Sequence, residues 1–203
     1  MPRPAIYDDA LTSRLVEEAA TVIARDGVQV LSLRAVAAAA GTSTNAIYTL
    51  FGSKAQLVEA VLAEAEHSFG EAQHSAPTSQ DVLADLAALG RAYRTWALEH
   101  PSLYAVMFGG RVPFGPDERS TPSPTAEEPA EAVSTILPLT RVVDRAMAAG
   151  VMSGSSVEEL VLSIWAAVHG FVAIELATDP GGLETAYENH LAAIARAWAP
   201  VSE

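Results

Sequence analysis

Three glycines, Gly27, Gly41 and Gly52, cut the first 55 residues into three segments whose apolar residues recur at steps of three and four. This pattern predicts three helices, each with an apolar stripe that must be buried on the others, and so a small helical unit at the start of the chain. Leu11, Leu15, Ala19, Val22 and Ile23, with Glu17, Glu18 and Arg25 between them, give a first amphipathic helix that stops at Gly27. Ser32 is a suitable N-cap for a second helix over residues 33–40, ended by Gly41. A third helix over residues 43–51 follows within two residues and stops at Gly52.

The rest of the chain keeps the helical period. Ser53-Lys54-Ala55-Gln56 has the form of a capping box, and Leu57, Val58, Val61, Leu62, Ala65 and Phe69 supply the apolar face of a long fourth helix. Residues 74–80, with Pro77, read as a connector. A fifth helix over 81–100 presents Leu83, Leu86, Leu89 or Gly90, Tyr93, and Trp96 or Ala97 on one side, and Pro101 ends it. A short sixth helix over 102–108 precedes a stretch rich in Gly, Pro, Ser and Thr, expected to be a mobile loop over 109–128. Further helices are expected over 129–149, kinked by Pro138, over 156–178 and over 182–198. Ser155 and Ser156 stand three residues before Glu158 and Glu159, so a capping box is expected at the start of the eighth helix. Alanine is abundant and no run of alternating β-branched residues is present, so the fold class is all-α. The expected division is a helix-turn-helix domain over 1–55 followed by a helical bundle over 56–203.

Composition removes several functions. The chain has no cysteine, which excludes disulfides, thiolate nucleophiles and cysteine zinc sites. No His-Glu-x-x-His, Gly-x-Ser-x-Gly or phosphate-binding glycine loop occurs, so neither an enzyme nor a cofactor or metal is expected. The N-terminal Met-Pro-Arg-Pro, followed by Tyr7, Asp8 and Asp9, does not resemble an export signal, and a cytoplasmic location is expected. Residues 157–176 are long enough for a membrane span, but Glu158, Glu159, His169 and Glu175 within them favour a buried helix or a subunit interface, so no membrane partner is expected.

A net charge of −13 looks unsuited to nucleic acid, yet its distribution is uneven. Residues 1–55 carry no net charge, and the remainder carries all of the excess. An acidic body would leave the N-terminal segment as the DNA contact.

That segment has the parts of a helix-turn-helix. It needs a small residue where the helices cross, a turn residue tolerant of positive φ, and an apolar clamp on the second helix. Ala37, Gly41 and Ile47 meet those needs in order, with Val36, Ala40 and Leu50 completing a small core. The outward face of the third helix would carry Ser43, Thr44, Asn45, Tyr48 and Thr49, side chains able to reach base edges or phosphates in a major groove about 12 Å wide. Arg34 and Lys54 flank that face, and the helix starts near Ser32 and Ser53 offer backbone amides to phosphate.

The run Ile47-Tyr48-Thr49-Leu50-Phe51-Gly52-Ser53-Lys54, with Leu57 beyond it, resembles the recognition helix and its sequel in the TetR family of transcriptional regulators. The resemblance implies that Tyr48 and Lys54 contact phosphates, that Arg34, Thr44 and Asn45 face bases, and that Ser32 and Thr49 lie close to the DNA backbone. In the second half, residues 93–101, Tyr104 to Phe108, Trp165 and His169-Gly170 are similar to a subgroup of the family with a Trp, His-Gly C-terminal domain. That likeness implies an all-helical domain for effector sensing and dimerisation, and a regulator, usually a repressor, that binds a partly palindromic double-stranded operator as a homodimer and is released by a small molecule.

Tyr93, Trp96, Tyr104, Met107 and Phe108 are candidate effector contacts, although aromatics at this spacing also serve as plain core. Trp165 and His169, one turn apart, could meet the same ligand or the same structural neighbour. The eighth helix is apolar around most of its circumference, and its Leu160, Ile164, Val168, Phe171 and Val172, with Leu191, Ile194 and Trp198 of the ninth, are the expected dimer interface. A helical adaptor that keeps the helix-turn-helix only as a scaffold is the alternative function.

Overall fold

The computed structural model describes residues 9–109 and 135–200, and the regular elements among them are all helical. They pack as two units, one from residues 9–67 and 100–109, the other from 68–99 and 135–200.

The first unit contains α1 (Asp9–Asp26), a 3₁₀ turn (Val28–Val30), α2 (Leu33–Ala39), α3 (Thr44–Phe51), the first part of α4 (Lys54–His74) and α6 (Pro101–Phe108). Its core is built from the stripes read in the sequence: Leu15, Ala19, Val36, Ala46, Ile47, Leu57 and Val61 are all fully buried. Leu103 and Val106 of α6 pack on this core, and the hydroxyls of Ser102 and Thr21 lie 3.4 Å apart. By packing, residues 56–67 and the short α6 go with the N-terminal helices.

The second unit contains the end of α4, α5 (Val82–Glu99), α7 (Leu137–Ala148), α8 (Val157–Thr178) and α9 (Glu184–Ala197). Two expectations about α7 need correction. It begins at Leu137, after a turn at residues 135–136, rather than at 129. Pro138 consequently sits in the first turn and does not kink the helix, because a first-turn residue has no intrahelical acceptor for the N–H that proline lacks. Residues 129–134, and the expected loop from 110 onward, lie outside the described residues.

The cap on α8 is present in a shifted form. Ser156 Oγ accepts from the Glu159 amide at 3.2 Å, while Glu159 Oε2 accepts from the amide of Ser155, not from that of Ser156. By length and a mean hydropathy of 1.9, α8 would suit a membrane crossing. One of its faces, however, holds Leu160, Ile164, Val168 and Val172 in the core, and Glu175 is fully buried in an ion pair with Arg94 of α5. A carboxylate paired inside a helical bundle marks α8 as a core helix of that bundle.

Candidate functional site

The turn between α2 and α3 is what presents α3. The Gly41 amide donates to Ala38 O at 3.2 Å and the Thr42 amide to Ala37 O at 2.8 Å, the bonding pattern of a Schellman motif. Gly41 has φ +70°, which a side chain would strain, so glycine is what lets the chain reverse within four residues. Ser32 Oγ accepts from the Ala35 amide at 3.4 Å at the start of α2. Ser43 occupies the N-cap position of α3 in extended conformation, with no side-chain capping bond. Gly52, at φ +79°, ends α3, and Ser53 Oγ accepts from the Gln56 amide at 3.1 Å to open α4.

With Ala46 and Ile47 fully buried, the opposite side of α3 faces outward. Asn45, Thr49 and Ser43 are exposed there, Tyr48 is 55% exposed, and Thr44 is half-buried. A phenol this open on a helix whose other face is core is available for contact with a partner. Thr49 Oγ1 donates to Asn45 O at 2.9 Å, so its proton is used within the helix and its oxygen remains as an acceptor. Arg34 and Ser32 are exposed on α2. Lys54 is half-buried, and its Nζ lies 3.5 Å from Gln29 O, which ties the start of α4 to the 3₁₀ turn and leaves ammonium protons for another acceptor. All eight residues read as DNA contacts thus belong to α2, α3, their N-cap positions and the first residue of α4, within the first unit.

The aromatic residues expected at an effector site are divided between the units. Tyr104, Met107 and Phe108 are on α6 in the first, where the rings of Tyr104 and Phe108 are 4.9 Å apart. In the second unit, Tyr93, Trp96, Trp165 and His169 form a cluster with Phe69. The Tyr93 hydroxyl is 2.8 Å from His169 Nδ1, His169 stacks on Trp165 at 5.0 Å, and Phe69 meets both Tyr93 and Trp96 edge-on or tilted. Trp96 Nε1 donates to Ser68 Oγ at 3.2 Å. Burial holds the His169 imidazolium pKa below its usual value.

Of the residues expected to form a dimer interface, Leu160, Ile164, Val168, Val172, Leu191 and Ile194 are buried within the chain's own core, and Phe171 and Trp198 are half-buried. The large apolar side chains that α8 exposes are Leu162 (49%) and Ile174 (62%), with Ala166 and Ala177 between and beyond them. Counting the apolar residues of α8 could not separate its inward face from this one, because both are apolar.

Three polar groupings escaped the sequence reading. Arg94 donates from Nε and Nη2 to the two oxygens of Glu175 at 2.8 and 2.7 Å, and the Leu183 amide adds a third bond to the same carboxylate. The guanidinium thereby holds Glu175 below the usual carboxylate range, and the carboxylate raises Arg94. Tyr187, fully buried, donates to Gly90 O at 2.6 Å beside the same arginine, and burial pushes its phenol up. Asp85 accepts from the amide and hydroxyl of Ser79 and from Arg145 Nη1, contacts that hold its pKa down. Cavities lie among the described residues of the second unit. One of about 190 Å³ lies between α5, α8 and α9 beside the Arg91–Glu188 ion pair. Another of about 260 Å³ lies between the end of α4, α5 and α7. Neither is lined by Tyr93, Trp96, Trp165 or His169.

The comparisons with known proteins agree with this architecture. Residues 15–61 match the family model described as bacterial regulatory proteins, tetR family, and residues 86–198 match the tetracyclin repressor-like C-terminal domain. An HTH-type transcriptional regulator of Mycobacterium tuberculosis, Rv1816, is 28% identical over 110 residues, which is 52% of this chain and 46% of the relative, so the match spans about half the length of that protein. A TetR family regulator from Marinobacter aquaeolei superposes over 96% of this chain and 98% of its own with a TM-score of 0.72 at 20% identity. A protein of unknown function from Rhodococcus sp. RHA1 superposes over 98% and 100% with a TM-score of 0.71 at 24% identity. With both of its domains matched, over more than half of its length by the C-terminal model alone, the chain belongs to the TetR family of transcriptional regulators.

Proposed function

We propose that this regulator binds a partly palindromic operator as a homodimer, most simply as a repressor in the cytoplasm, and that a small molecule bound in the second unit releases it. The observation that carries the reading is the outward face of α3, where Asn45, Tyr48 and Thr49 stand exposed opposite a fully buried Ala46 and Ile47. In this reading Thr44, Asn45 and Arg34 read bases, Tyr48 and Lys54 hold phosphates, Ser32 and Thr49 lie close to the DNA backbone, and Ser43 reaches a base edge or a phosphate. The functional division would follow the sequence, with residues 1–55 contacting DNA and 56–203 serving the effector and the second subunit. Residues 54–67 of α4 belong to the first unit and 68–74 to the second, so α4 is the covalent route by which occupancy of one could bias the other.

A mobility-shift titration against the DNA flanking the protein's own gene tests this reading. Asn45→Ala is expected to cost about 1–3 kcal/mol and to relax preference at one base-pair position, whereas Lys54→Gln should weaken binding to all sequences and lower the salt slope by about 1. If wild type and Tyr48→Ala bind this DNA no better than a non-specific control, the adaptor reading replaces it.

For the dimer, the exposed strip around Leu162 and Ile174 is the natural contact for a second copy, since TetR-family regulators act on DNA as dimers and an uncovered apolar strip on a core helix favours association. Leu162→Glu together with Ile174→Glu is expected to convert a dimer into a monomer in sedimentation velocity, with the helical signal retained. A wild-type protein that sediments at the mass of one chain at micromolar concentration would refute it.

A further inference from the structure

We propose that the cavity between the end of α4, α5 and α7 is a site for a small carboxylate with a short aliphatic body. The inference rests on the reading that the second unit senses a small molecule, and it adds a location and a chemistry.

Gln73, at the end of α4, lines this cavity and is 6% exposed, and its Nε2 has no hydrogen-bond partner among the described residues. Buried donors are nearly always satisfied, so this amide lacks an acceptor that something else is positioned to bring. Arg141 and Arg145, one turn apart on α7, line the same cavity, as does Asp85. The Asp85 carboxylate is already occupied, by the amide and hydroxyl of Ser79 and by Arg145 Nη1 at 2.9 Å, while Arg145 Nη2 donates to Ser79 O. Asp85 and Arg145 cancel, and the exposed Arg141 remains as one guanidinium in excess, within a chain whose net charge is −13.

The lining therefore holds one unmet buried amide donor and a single positive charge to be met. A carboxylate answers both: it accepts from the amide, pairs with a guanidinium in a two-point geometry and brings one negative charge. An amine would place a cation and more donors against those already present. Leu89 and Val142 supply apolar wall, and 260 Å³ falls below the range of about 300–1,000 Å³ typical of drug-sized ligands, which leaves room for a body of up to about ten carbons.

Calorimetric titration of the full-length protein, without DNA, tests the site with hexanoate as probe and with hexylamine, hexan-1-ol and inorganic phosphate as controls. Saturable binding of hexanoate in preference to all three is expected, with affinity reduced at least about tenfold in Arg141→Gln. Gln73→Leu is expected to weaken hexanoate binding as well, while the thermal midpoint of the ligand-free protein stays the same or rises, because the substitution removes an unmet donor. A merely structural glutamine would instead lower that midpoint. No saturable hexanoate binding, equal binding of hexylamine, a preference for phosphate, or hexanoate binding that survives both substitutions would each overturn the site. Release of bound DNA is then measured separately: hexanoate that binds without releasing DNA supports the site and refutes its sensing role, and release that persists undiminished in Arg141→Gln overturns the site while leaving sensing to another cavity.

Discussion

Glu175→Ala should destabilise the second unit by about 3–5 kcal/mol, because it leaves the Arg94 guanidinium without its counter-charge in a protein interior. The Glu175 side chain is fully buried and that of Arg94 is 12% exposed, so water cannot replace the lost partner without local opening. Loss of the bond from the Leu183 amide adds to the cost at the junction between α8 and α9. Denaturant unfolding followed by helical signal reads the effect. The sign of the pair itself is a separate question, tested by replacing both members: Arg94→Met with Glu175→Leu should recover most of the loss, since apolar residues of similar volume often substitute for a buried ion pair without penalty. A single substitution as mild as the double one would show that the pair is hydrated in solution.

The same carboxylate sets an acid limit. Its folded-state pKa lies below its ordinary value of 4.5, so its contribution is complete above that value and is lost as pH falls through the lower folded one. Asp85 behaves likewise from 3.8 downward. His169 adds an earlier step. Burial depresses its pKa below 6.5, so the unfolded chain takes up a proton before the folded one does, and stability begins to fall as pH drops below 6.5. Stability measured from pH 8 to 3 should accordingly show a shallow decline starting near 6.5, absent in His169→Asn, and a steeper one below 4.5.

The helices were legible because their signals are local. Gly27, Gly41 and Gly52 each take a positive φ where the apolar period breaks, and Leu15, Ile47 and Leu57 are buried as their spacing requires. The outward face of α3 was legible for the same reason, since burying Ala46 and Ile47 turns Asn45, Tyr48 and Thr49 outward on a helix of eight residues. What failed depends on neighbours distant in sequence. Pro138 reads as a kink only if a helix has begun before it, and nothing local says whether residues 129–136 are helical. On α8 both faces are apolar, so periodicity could not decide that Leu160 and Ile164 face inward and Leu162 and Ile174 outward. The pairing of Arg94 with Glu175, or of Arg145 with Asp85, joins residues 81 and 60 positions apart, and no spacing rule reaches across such loops. Tyr93 and His169 met as a pair although only their separate helices were readable.

The first unit offers a contrast between a residue that builds the reading head and one that uses it. Ile47 is fully buried in the small core shared by α1, α2, α3 and the start of α4, and Ile47→Ala is expected to cost about 2–5 kcal/mol through lost burial and the cavity left behind. A small helical unit has little surplus to absorb this, since whole domains are stable by only about 5–15 kcal/mol. Amide exchange in residues 33–51 should therefore become fast, with α8 and α9 still protected, and DNA binding should disappear at every sequence and salt concentration. Asn45, two residues away and exposed, should show the opposite combination in Asn45→Ala: exchange and melting unchanged, and affinity altered only through preference among sequences. If Asn45→Ala also melted α3, its side chain would be holding the helix rather than reading DNA. If Ile47→Ala left binding intact, the outward face of α3 would not be the reading head.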